Sequence, residues 1–165
     1  MIPDDLFELA TEVLDECRRT GETIATAESC TGGLIAACLT AVAGSSDVVD
    51  RGFITYTNEA KMEMLGVPTP LFAEYGAVSE PVARAMAEGA LAASPASIGI
   101  AVTGIAGPGG ATAAKPVGLV HMGFSRRGMP TIHRSEIFKG DRETVRTETV
   151  RYALRTVLER LSSGT

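Results

Sequence analysis

Apolar residues at Leu6, Leu9, Ala10, Val13, Leu14 and Cys17 recur at the i, i+3, i+4, i+7 spacing of a helix that buries one face. The spacing predicts a helix from Ile2 to Thr20, ended by Gly21, which is free to turn left-handed. Thr23 to Ala27 reads as a short buried strand, and Thr31 to Ala43 as an Ala-rich helix stopping at Gly44, so Ser29 falls on a strand-to-helix turn. Val49 to Thr57 predicts a second strand, Asn58 an N-cap, and Glu59 to Leu65 a helix with Lys61 in its first turn. A further helix opens at Ser79, carries Pro81 near its start, runs to about Ala93 and aligns Val82, Met86 and Ala90 on one face. Ser97 to Val102 predicts a third strand. Val117 to Ser125 and Thr131 to Phe138 predict two more, around the hairpin signal Arg126-Arg127-Gly128. Asp141 caps a last helix, Arg142 to Leu161. Helices alternating with strands, without repeat or linker, predict one α/β domain over 1–165, with a central mixed, partly parallel sheet and helices on both faces.

With 165 residues, 45% of them apolar, the chain can bury a sizeable core. A net charge of −5 and the lack of any basic run longer than two residues argue against a nucleic-acid partner. Leu34 to Ala43, the most apolar stretch, falls short of the roughly 20 residues a membrane helix needs. The start, Met1-Ile2-Pro3-Asp4-Asp5, lacks the features of a signal peptide. The expectation is a cytoplasmic protein without a membrane partner. Cys17, Cys30 and Cys38 form no Cys-x-x-Cys pair, which argues against a disulfide framework and a structural zinc site. His121 and His133 are too far apart for a helical metal pair and are read as structural. The 18 glycines predict close backbone packing and loops that approach a ligand.

Four stretches could carry chemistry. In Thr26-Ala27-Glu28-Ser29-Cys30-Thr31-Gly32-Gly33, a hydroxyl just before a helix lies beside unpaired N–H groups, a nucleophile-and-oxyanion geometry; the blander reading is that Ser29 or Thr31 caps the helix. In Tyr56-Thr57-Asn58-Glu59-Ala60-Lys61, the lysine is either a solvated charge or, if desolvated, a base, since a cation at a helix start opposes the dipole. The loop Thr103 to Gly110 holds four glycines in eight residues at the end of a strand, as a ligand loop or a long turn. It lacks the endings of a P-loop or dinucleotide fingerprint. Lys115 beyond it reaches an anion or solvent. In the fourth stretch, from Lys139 to Arg146, Arg142 and Arg146 share a helix face, to grip a phosphate or to form a solvated, ion-paired surface.

Together and in this order, these stretches resemble the CinA C-terminal domain family, the nicotinamide-nucleotide amidohydrolases. Ala77-Val78-Ser79-Glu80, Lys115-Pro116-Val117-Gly118 and Gly140-Asp141-Arg142 add to the match, which spans about residues 5 to 161. Ala114 departs from it, standing where the family often has an acidic residue. The resemblance implies hydrolysis of the carboxamide of nicotinamide mononucleotide to nicotinic acid mononucleotide and ammonia, in NAD salvage, without metal or cofactor. Longer family members carry an extra N-terminal domain, and the resemblance implies that this chain begins at the amidase domain.

On that reading Ser29 is the nucleophile, Lys61 its base, and Tyr56 a residue that relays or orients the proton. The N–H groups of Cys30, Thr31 and Gly32 form the oxyanion hole. Gly33, Thr103, Gly104, Gly107, Gly109, Gly110 and Arg142 complete the substrate-binding set. Cys30 is a rival nucleophile, activated if it lies at a helix N-terminus. The non-enzymatic alternative is a nucleotide-binding or regulatory module. Two apolar stripes on the last helix, one through Val145, Thr149, Tyr152 and Val157, the other through Val150, Leu154, Leu158 and Leu161, predict a homo-oligomer.

Overall fold

All five residues of the strand Ile24–Glu28 are buried, so this strand, β1, belongs at the centre of a sheet covered on both faces. The computed structural model describes residues 1–163. β1 lies between β2 (Val49–Ile54) and β3 (Ile98–Gly104), both parallel to it. β4 (Leu119–Arg126) and β5 (Ile132–Ile137) extend the sheet antiparallel, giving the order β2-β1-β3-β4-β5. The mixed sheet expected from the sequence is therefore present. Its chain direction changes sides at β1, because the next strand lies on one side and β3 on the other. A crevice opens between the carboxyl ends of strands at such a switch point.

Helices α1 (Asp4–Thr20), α2 (Leu34–Thr40) and α6 (Arg142–Ser162) enclose one apolar core with the sheet. On the other face, α3 (Asn58–Leu65), the short α4 (Pro70–Tyr75) and α5 (Glu80–Ala92) enclose a second. α5 lies almost backbone to backbone on β3 and β4: a Cβ at Gly99 would stand 2.5 Å from Ala87 O, and one at Gly123 2.4 Å from Ala83 O. These glycines are the close packing that the composition foretold. Val82, Met86 and Ala90 are buried there, as the periodicity predicts.

Several boundaries move for physical reasons. α2 begins at Leu34 rather than Thr31, because Gly32 (φ +58°) and Gly33 (φ +105°) are left-handed and cannot start a right-handed helix. α3 is capped by Thr57, whose hydroxyl accepts from Ala60 N–H at 3.0 Å, and Asn58 becomes its first residue. α4 went unforeseen, since none of its residues is buried and no periodicity marks it. Both stripes of α6 are covered within the chain, with Val145, Val150, Leu154, Val157 and Leu161 buried and Tyr152 and Leu158 packed beside them. They therefore carry no argument for a second copy. Among the described residues no helix is long and apolar enough to cross a membrane.

Candidate active site

Ser29 follows directly on β1 and is anchored by its N–H donating to Val102 O of β3 at 3.1 Å. The turn after it closes with Gly32 N–H donating to Ser29 O, also at 3.1 Å. Glu28, fully buried at the end of β1, reaches under this turn. Its carboxylate accepts from Thr31 Oγ1 at 2.6 Å and from the N–H groups of Ile35 and Ala36 at 2.8 and 3.1 Å. The first N–H donors of α2 are thus satisfied by an internal carboxylate. This corrects the expectation that Ser29 sits at a helix start facing those donors. Cys30 loses the activation proposed for it as well, because burial pushes its thiol up to about 12.

Lys61 projects from α3 back towards β1 and is 1% exposed. Its Nζ stands 2.9 Å from Ser29 Oγ and 2.9 Å from Thr55 O, with Tyr56 O at 3.2 Å and Thr57 O at 3.4 Å. These contacts exist because β2 stops at Ile54, where the sequence pattern alone would continue it to Thr57. Beyond that point the carbonyls bend onto the amine instead of extending the ladder. No carboxylate is among its four contacts. Burial, the largest influence, lowers the lysine below its ordinary pKa, against weaker upward effects of Cys30 and Glu59. An amine so placed can hold two N–H groups on the Thr55 and Tyr56 carbonyls and turn its lone pair to Ser29.

Ser29, Cys30 and Lys61 open into a cleft of about 270 Å³ at the switch point. Its far wall is the end of β3 and the following loop, with Thr103, Gly104, Gly107, Gly109 and Gly110, and its near rim is Tyr56. Thr103 and Gly104 belong to the strand, paired with His121 and Val120. Arg142, at the start of α6, bridges the mouth, donating to Gly107 O at 2.9 Å and to the Tyr56 hydroxyl at 3.1 Å. Tyr56 is 59% exposed, and only its backbone carbonyl meets Lys61. Thr31, Gly32 and Gly33 lie behind Ser29, outside the lining of the cleft. Lys115 donates to Tyr75 O, and Arg146 donates to Cys30 O and Thr31 O. Among the described residues no group of three or more His, Cys, Asp and Glu could hold a metal ion.

Glu28 is a residue whose role the sequence left unread, and Arg146, read as a phosphate grip or a solvated, ion-paired surface, instead holds two backbone carbonyls beside Ser29. Glu28 had a legible signal: a carboxylate at the end of a buried strand must find donors. The actual partners of Arg146 left no signal, because they are backbone oxygens more than a hundred positions away.

The fold and site define an α/β protein with a buried serine–lysine pair in the crevice at a sheet switch point. The model of the CinA C-terminal domain matches residues 6–161, and the chain belongs to that family. It is 44% identical over 165 residues, all of both chains, to the nicotinamide-nucleotide amidohydrolase PncC of Escherichia coli (strain K12). It is 54% identical over 137 residues to a CinA-like protein of Citrifermentans bemidjiense, a match covering 83% of this chain and 33% of that one. Among solved structures, the competence/damage inducible protein CihA of Agrobacterium tumefaciens superposes with a TM-score of 0.94 at 50% identity over 98% of both chains.

Proposed function

We propose that this chain hydrolyses the carboxamide of nicotinamide mononucleotide to nicotinic acid mononucleotide and ammonia. The observation that carries the reading is the 2.9 Å approach of Lys61 Nζ to Ser29 Oγ inside a cleft. The name of the full-length relative from Escherichia coli supports the substrate. Ser29 Oγ attacks the carboxamide carbon while its proton passes to neutral Lys61. The tetrahedral oxyanion is received by the N–H group of Cys30, the residue after Ser29 that also lines the cleft. Lys61 returns the proton to the departing nitrogen, the C–N bond breaks, and ammonia leaves an acyl-serine ester that water hydrolyses. The Tyr56 ring offers a face for the pyridine. Arg142 and the Gly107–Gly110 backbone receive the phosphate.

The test is ammonia release from nicotinamide mononucleotide by the purified chain, with free nicotinamide as a control for the ribose phosphate. Ser29→Ala is expected to abolish turnover with the fold intact. Tight binding of the nucleotide without turnover would instead favour the nucleotide-binding module, and a Ser29→Ala variant active at the native rate would remove the serine from its role.

A further inference from the structure

A second cavity, of about 510 Å³, adjoins the cleft at the first turns of α6, and Arg142 lines both. Its floor is apolar, formed by Leu6 of α1, Leu34 of α2 and Val150 of α6, and its wall carries Arg142, Glu143, Arg146 and Thr147. Arg18, Arg84, Arg134 and Arg151 each stand on a carboxylate. Arg142 and Arg146 do not: among the described residues their guanidiniums bond only uncharged oxygens. Arg142 Nε and Arg146 Nη1 make no hydrogen bond there, so both side chains keep full charge and donors to spare. Glu143 is the one acidic residue of that lining, against two guanidiniums, which leaves the wall net positive. Planar N–H forks of this kind match the oxygens of a phosphate.

We propose that this cavity is a second nucleotide site, for a purine nucleoside monophosphate. The phosphate lies on Arg146 with Arg142 beside it, and the base lies on Leu6, Leu34 and Val150. Glu143 and Thr147 accept from the amino group of the base and the hydroxyls of the ribose. An alkyl carboxylate would satisfy the guanidiniums equally well but would leave those two acceptors facing hydrocarbon. The volume falls within the range of about 300–1,000 Å³ usual for small-molecule sites, enough for a two-ring base with its ribose phosphate. Because the reaction proposed above also uses Arg142, an occupant here draws on the guanidinium that receives the substrate phosphate and weakens substrate binding. That coupling rests on the reading of the cleft, whereas the site itself does not.

The experiment is calorimetric titration of the purified chain with adenosine monophosphate, for wild type, Arg146→Gln, Thr147→Tyr and Gly109→Val, each shown to be folded by circular dichroism. Thr147→Tyr fills the cavity while leaving both arginines and the turn at Ser29 untouched, so it decides the matter if Arg146→Gln disturbs that turn. Arg146→Gln and Thr147→Tyr should each weaken binding by at least about tenfold, the scale of a lost hydrogen bond to a charged group. Gly109→Val, which narrows the cleft instead, should stay within about twofold of wild type. Adenosine, inorganic phosphate and octanoate should each bind at least about tenfold more weakly than the nucleotide, since each lacks one of the matched parts. No binding of adenosine monophosphate to wild type overturns the proposal, as does binding that Gly109→Val abolishes and Thr147→Tyr spares, which places the nucleotide in the cleft. Equal binding of phosphate or octanoate overturns the nucleoside assignment. In turnover of nicotinamide mononucleotide, saturating adenosine monophosphate should raise KM several-fold in wild type and not in Thr147→Tyr. An unchanged wild-type KM overturns the coupling. If wild type releases no ammonia, the reading of the cleft fails, and calorimetry alone decides the second site.

Discussion

Thr31 Oγ1 donates to the Glu28 carboxylate at 2.6 Å, closing the chain around Ser29 from beneath. The same carboxylate takes two N–H groups of α2, so one buried side chain ties the end of β1 to the helix that follows the nucleophile. A strand, a turn with two left-handed glycines and a short helix become a single fixed unit.

Glu28→Gln therefore has a defined cost. The amide keeps one acceptor oxygen but turns a donor towards groups that need an acceptor, leaving at least one buried donor unpaired. Stability should fall by about 1–3 kcal/mol, read as a lower urea midpoint at unchanged slope. At temperatures where the variant is folded, kcat should fall more than KM rises. A variant with the native midpoint would mean that water replaces the carboxylate.

The Gly107–Gly110 loop can be tested at Gly109. A Cβ there would meet nothing within 4 Å and its φ is not in the left-handed region, unlike Gly110 at φ +93°. Gly109→Val should leave thermal stability within about 0.5 kcal/mol of native, as surface substitutions do. It should raise KM for the nucleotide several-fold by filling the cleft wall. Unchanged KM in this variant would remove the loop from the binding surface.

Ser29, Lys61 and the glycine loop were legible because each lies in a contiguous stretch whose residue types declare chemistry. The alternation of helices and strands gave the layers, and Gly21 and Asp141 marked helix ends that the structure retains. What stayed hidden depends on distance in sequence. Periodicity does not say that β3 lies across β1 from β2, which creates the cleft, nor that α1 covers α6. Arg142 and Arg146 look like one solvated face on a helical wheel, yet both guanidiniums reach backbone oxygens of loops around the cleft.

His121 and His133, read from the sequence as structural, form a stacked pair with His121 Nδ1 and His133 Nε2 2.8 Å apart. Only one proton fits between those nitrogens. Burial is the largest influence on both rings and lowers both pKa values, with His133 and Lys115 lowering His121 further, and Arg84 lowering His133 against the upward pull of Glu80. The folded state thus binds fewer protons than the unfolded chain, whose histidines titrate near the ordinary 6.5. Their contribution is fully present above that value and is lost as pH falls through the lowered folded values. Urea midpoints measured from pH 7.5 to pH 5 should decline, and His121→Asn with His133→Gln should flatten that decline. An equal slope in the double variant would assign it to other groups.

The Lys61 amine must be neutral to take the Ser29 proton. Burial lowers its pKa, so the folded ammonium gives up its proton at lower pH than an exposed lysine would. A base works when deprotonated, and activity should accordingly rise with pH and level off above the folded pKa. The midpoint of kcat/KM against pH should lie below the ordinary value of 10.5. Lys61→Arg keeps a charge and similar reach but stays protonated. It should be nearly as inactive as Lys61→Ala, each losing at least about a hundredfold, the scale of general-base catalysis. The measurement is kcat/KM from pH 6 to pH 10 for wild type and both variants, with circular dichroism to show that each remains folded. An arginine variant that keeps most of the activity would make Lys61 an electrostatic anchor only, with water taking the proton.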